Sequence, residues 1–180
     1  MKIEKFTIKD IIFIAIIAAT LILTGLITMP LVMSTTLFGL RNMVSAPLYG
    51  MFTMLGIMKI KKVGTLTLIG LFNGSVLLMM APVMFWTMIL GSFISELITF
   101  LIYKGYESNK SRVMASTLFI PFTLPTTLLF TMLIHGKTYT EIIEKPVISI
   151  ILCIGTALLS YLGAKIGQKL GRELQKAGKL

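Results

Sequence analysis

Charge is what this sequence has least of. Only 13% of its residues are Asp, Glu, Lys or Arg and 56% are hydrophobic, whereas about a quarter of an ordinary soluble chain is charged. Thirty consecutive residues between Asp10 and Arg41 carry no formal charge, and about 20 apolar residues suffice to cross a bilayer. This balance excludes a soluble globule. Reactive side chains are equally scarce. The single cysteine, Cys153, excludes an intrachain disulfide and makes a cysteine-based metal site hard to build. The single histidine, His135, has only Glu141 and Glu144 nearby, too few for the three or four ligands zinc takes. There is no His-Glu-x-x-His, no Gly-x-Ser-x-Gly, no Walker loop and no pair of intramembrane carboxylates. Neither an enzyme nor an intrinsic metal or cofactor is expected.

The charge that is present is basic and unevenly placed. Net charge is +10, but the cations flank apolar runs rather than forming a basic domain, which argues against nucleic acid. They read as topology signals and as attraction to anionic lipid heads. The first apolar run, Ile11 to Met29, exceeds the roughly 7–15 residues of a signal-peptide core and is expected to be a retained helix.

The pattern predicts an all-α integral membrane protein: a single domain over 1–180, built as a bundle of six transmembrane helices. The expected spans are 11–29, 43–58, 63–80, 83–103, 112–134 and 146–167. Pro30 closes the first, and Ala81-Pro82 divides the third from the fourth, because proline lacks the amide donor and disfavours helix in the residue before it. Pro121 and Pro125 predict a kink or local unwinding in the fifth. Six crossings place Lys2, Lys5, Lys9, Lys59, Lys61, Lys62, Lys104, Lys110, Arg112, Lys165, Lys169, Arg172, Lys176 and Lys179 on one side, and only Arg41, Lys137 and Lys145 on the other. Positive charge favours the cytoplasm. Both termini are therefore expected to be cytoplasmic, in the plasma membrane of a prokaryote.

Few residues are left to carry function. Ala15, Ala18 and Ala19 form a small-residue strip on helix 1; Gly91 and Ser95 repeat the spacing on helix 4, and Gly163, Gly167 and Gly171 on helix 6. Such strips let helices approach closely, within the bundle or against a partner. Glu96 is the one charge well inside a span. Either it pairs with Lys104 or a lysine of the helix 2–3 loop, or it handles a proton or ligand. Arg41, followed by Asn42, stands at the outer mouth and is an interfacial anchor or a clamp for a carboxylate or phosphate. Asn73, His135 and Tyr139 add polar groups at the outer ends of helices. Met79, Met80, Met84 and Trp86 supply either packing and interface anchoring or an adaptable apolar wall. A pocket made of these residues suits a vitamin-like heterocycle or, with His135 as axial ligand, a porphyrin.

Phe6-Thr7-Ile8-Lys9-Asp10 leading into Ala15-x-x-x-Ala19, with the chain length and six helices, resembles the substrate-binding (S) component of an energy-coupling-factor transporter. Gly64-Thr65-Leu66-Thr67, Trp86-Thr87, Gly91-Ser92, Gly163-Ala-Lys-Ile-Gly167 and Gln175-Lys-Ala-Gly178 are similar to the Trep_Strep (MptS-like) branch. The resemblance implies capture of a scarce micronutrient under the helix 1–2 loop. It also implies docking through Ala15 and Ala19 on a transmembrane coupling subunit, with ATP used by two partner ATPases. A stand-alone carrier or channel and a non-transporting membrane scaffold are the alternatives.

Overall fold

The computed structural model describes residues 5–32 and 37–178. These fold into seven α-helices: α1 (Ile8–Val32), α2 (Leu40–Lys59), α3 (Thr65–Leu77), α4 (Pro82–Tyr103), α5 (Asn109–His135), α6 (Tyr139–Ile142) and α7 (Pro146–Lys176). Six are long, and α6 is a single turn in the polar 135–145 segment.

The helix ends follow from local sequence. Thr7 and Asp10 cap α1 reciprocally: Thr7 N donates to Asp10 Oδ2 at 2.9 Å and Asp10 N to Thr7 Oγ1 at 3.3 Å, which satisfies two donors that an open helix end leaves bare. Ser108 accepts from Lys110 N at the start of α5, and Pro82 and Pro146 open α4 and α7, where the missing amide costs nothing. Gly39 and Gly64 precede α2 and α3 with φ of 91° and 98°, a left-handed turn that L side chains resist.

Some boundaries differ from the sequence expectation. α1 runs through Pro30 to Val32, because proline in a last turn removes only one hydrogen bond. α3 stops at Leu77, and residues 78–80 form a turn. α7 continues past Gly167 to Lys176, so the basic tail stays helical. α5 is unbroken at Pro121 and Pro125. Around them Thr123, Thr126 and Thr127 donate to the carbonyls of Ile120, Phe122 and Thr123 at 2.6–2.9 Å, whereas the carbonyls that the prolines leave without an amide are those of Thr117 and Pro121.

α1, α4, α5 and α7 are each long and apolar enough to cross a membrane, and they expose large apolar side chains such as Ile8, Leu101, Leu133 and Val147. α2 packs against α7, α1, α5 and α3. A helix with that many protein neighbours needs less apolar surface, which accounts for Arg41 and Asn42 in its first turn. α3 has 13 residues, about 20 Å at 1.5 Å per residue, short of the roughly 30 Å hydrocarbon layer. The core joins Ile14, Leu21, Ile57, Leu66, Ile69 and Phe119.

The glycine ladder is part of this packing. A Cβ on Gly163 or Gly167 would overlap the carbonyl oxygen of Pro47 or Met51, and one on Gly171 would press on Met58. α2 and α7 run parallel in direct backbone contact because these positions have no side chain.

Candidate functional site

At one end of the bundle, five helices surround a chamber of about 170 Å³. Gly39 starts α2 so that Arg41, Asn42 and Ser45 face it from the first turns, with Tyr49 one turn deeper. α1 contributes Gly25 and Thr28. Met80, from the turn after α3, and Met84, Thr87 and Met88 of α4 form one wall, and Thr123 and Thr127 of α5 another.

The polar groups are not interchangeable. Thr28, Ser45 and Thr127 spend their hydroxyl protons on the carbonyls of Thr24, Arg41 and Thr123, at 2.9, 2.9 and 2.6 Å. Asn42 Nδ2 donates to Thr123 Oγ1 at 2.7 Å across the α2–α5 seam, and Thr123 donates onward to Ile120 O. With their protons engaged, Thr28, Ser45 and Thr127 can offer the chamber acceptor oxygens only, while Thr123 is fully buried. Arg41, half-buried, is the only charged residue of the lining among the described residues. The single ion pair among the described residues is Lys62–Asp10, at the far end. The chamber thus combines one unpaired cation with a set of acceptors.

Of the residues predicted for a ligand, Arg41, Asn42, Met80 and Met84 come together on this chamber. Asn73 is buried behind it, next to Tyr49. Its Nδ2 lies 3.9 Å from Met88 Sδ, and its Oδ1 has no partner among the described residues. Met79 is 91% exposed. Trp86 turns outward, stacked on Phe130 at 5.8 Å with Phe85 against its edge. His135 ends α5 and Tyr139 opens α6, both exposed. No group of His, Cys, Asp and Glu that could hold a metal is found among the described residues. The helix 1–2 connection, expected to cover the ligand, includes residues 33–36, which lie outside the described residues, as do Lys2 and Lys179.

Sequence reasoning missed Ser45, Tyr49, Thr87, Thr123 and Thr127. A usable signal was there: Thr20, Thr24 and Thr28, like Thr123 and Thr127, recur every four residues and so share a helix face.

Ala15, Ala18 and Ala19 separate by one helical step. Ala18 is buried in the bundle, Ala15 is half-buried and Ala19 is exposed, so Ala15 and Ala19 leave a shallow strip beside exposed Ile12 and Ile16.

Glu96 belongs to the opposite end. It is buried on α4 and accepts from Gly64 N at 2.7 Å, Thr67 N at 2.9 Å, Thr67 Oγ1 and the Tyr106 hydroxyl at 2.7 Å. It caps the first turn of α3 from a neighbouring helix, and no lysine takes part in these contacts.

A bundle of apolar helices, four of them long and apolar enough to cross a bilayer, defines an integral membrane protein that crosses the membrane several times. The family described as "Hypothetical bacterial integral membrane protein (Trep_Strep)" matches residues 8–173, and the chain belongs to it. No curated protein and no solved structure matches the chain.

Proposed function

We propose that this protein is the substrate-capture subunit of an energy-coupling-factor type importer. It holds a small anionic, vitamin-like heterocycle in the chamber and delivers it inward by docking on a coupling subunit driven by separate ATPases. The observation that carries this reading is Arg41: a guanidinium unpaired among the described residues, at the uncapped start of α2, in a chamber with no other charge. Arginine and a helix N-terminus both favour a carboxylate or phosphate, while the surrounding hydroxyl oxygens suit ring N–H or O–H donors. Typical ligand pockets measure about 300–1,000 Å³. A chamber of about 170 Å³ favours a small ring over a porphyrin, and His135 is not near it.

The reading includes six crossings with both termini cytoplasmic, α2 and α3 being the two that rely on their neighbours, and no chemical step on the ligand. A stand-alone carrier or channel needs a polar route through the bundle. Below Tyr49 the core is Ile14, Ile57, Leu66, Ile69 and Phe119, which favours capture with release by a partner. The test is copurification from the native membrane of tagged chain with the coupling subunit and both ATPases. The reading expects the complex, and expects Ala15→Trp/Ala19→Trp to lose it while the protein stays folded. A chain that transports in liposomes without ATPases would overturn it.

A further inference from the structure

At the end of the bundle opposite the chamber, α5 and α7 leave an open cleft of about 710 Å³. Its rim carries Lys110, Lys165 and Arg172, and its depth is lined by Met114, Thr117, Leu118 and Tyr161. The order along the helices is the order of a membrane interface. From Lys110 to Leu118 is about 12 Å and from Arg172 to Tyr161 about 16 Å along the axes, so Lys110 and Arg172 sit near the helix ends, Lys165 about 10 Å deeper than Arg172, and Leu118 and Tyr161 two to three turns in. None of the three cations has an acidic partner among the described residues. Lys165 Nζ is held 5.4 Å from the Tyr161 ring centroid, which positions its charge over the cleft. The wall also holds Thr117 Oγ1, buried and without a hydrogen-bond partner among the described residues.

We propose that this cleft binds one anionic phospholipid. Its phosphate lies among Lys110, Lys165 and Arg172, and its acyl chains run along Met114, Leu118 and Tyr161. Three cations without acidic partners repel the ammonium of a zwitterionic headgroup and favour one with net negative charge, and a basic pocket between membrane helices is the arrangement that selects anionic headgroups. A water-soluble phosphate would have no use for the apolar floor.

The test is native mass spectrometry of the purified full chain in detergent, with phosphatidylglycerol and phosphatidylcholine of matched acyl chains. The expected result is at least fivefold preferential retention of phosphatidylglycerol. Lys110→Gln/Lys165→Gln/Arg172→Gln should lower this below twofold, while the equally neutralising Lys59→Gln/Lys61→Gln/Lys104→Gln leaves it unchanged. All six side chains are exposed, so the fold is preserved, as gel filtration verifies. Equal loss in both triple variants, or in neither, would overturn the proposal. So would full competition by millimolar inorganic phosphate, which marks a soluble-anion site, or loss of coupling-subunit association with lipid retention intact, which marks a protein interface.

Discussion

The Tyr106 hydroxyl donates a 2.7 Å hydrogen bond to Glu96 Oε1 across the turn that joins α4 to α5. Through Glu96 that bond continues to the amides of Gly64 and Thr67, so one carboxyl group ties the start of α3 to α4 and to the following loop. A hydrogen bond contributes about 0.5–3 kcal/mol net, depending on its partners. Tyr106→Phe should lower the unfolding free energy in detergent by an amount in that range, and Glu96→Ala by more, because it strips several donors at once. Thermal unfolding followed by circular dichroism measures both. No change in Glu96→Ala would contradict the capping role.

The same pair gives a pH dependence. Burial, then the proximity and hydrogen bond of Glu96, hold the Tyr106 phenol well above its ordinary 10.0. A group raised on folding contributes stability fully below its unfolded value and loses it as pH climbs toward the folded one. Stability should therefore fall above about pH 10, and less steeply in Tyr106→Phe. Parallel slopes for the two proteins would show that Tyr106 is not the group responsible.

The ladder on α7 is expected to act inside one molecule. Gly163→Leu meets the backbone of Pro47, which cannot swing aside, so the cost should reach the upper part of the roughly 1–3 kcal/mol typical of overpacking. Thermal unfolding should register the loss with no change in molecular mass by light scattering. A stable variant with altered oligomeric state would place the ladder between molecules.

Topology can be read in intact cells. In a Cys153→Ala background, Lys61→Cys and Asn109→Cys should react with an impermeant maleimide only after the membrane is opened, and Thr138→Cys without opening. Outside labelling of Lys61→Cys would end the six-crossing account.

How legible all this was in the sequence depends on what each residue answers to. The helices announce themselves through apolar length and through prolines at their starts. Arg41, Asn42, Met80 and Met84 were found because polar groups at helix ends are scarce here. Trp86 was assigned to the same pocket on proximity in sequence, yet it leans outward on Phe130, since one step of 100° turns a helix residue from the chamber to the outer face. The threonines that line the chamber are marked in the sequence only by their four-residue spacing, which apolar spans do not make conspicuous. For Glu96 the sequence leaves a lysine partner and a proton or ligand role open, because only charged neighbours are visible there. Its actual partners are backbone amides of α3 and a phenol, which only the packing of α3 on α4 brings to it.

The central claim is that Arg41 secures an anionic ligand in the chamber, and the most direct measurement is mass spectrometry of the small molecules carried through purification. Wild-type protein should retain a compound bearing a carboxylate or phosphate. Arg41→Ala should retain at least tenfold less, equivalent to about 1.4 kcal/mol, whereas Trp86→Ala, which lies off the chamber, should retain as much as wild type. Equal retention by wild type and Arg41→Ala in folded protein would contradict the account.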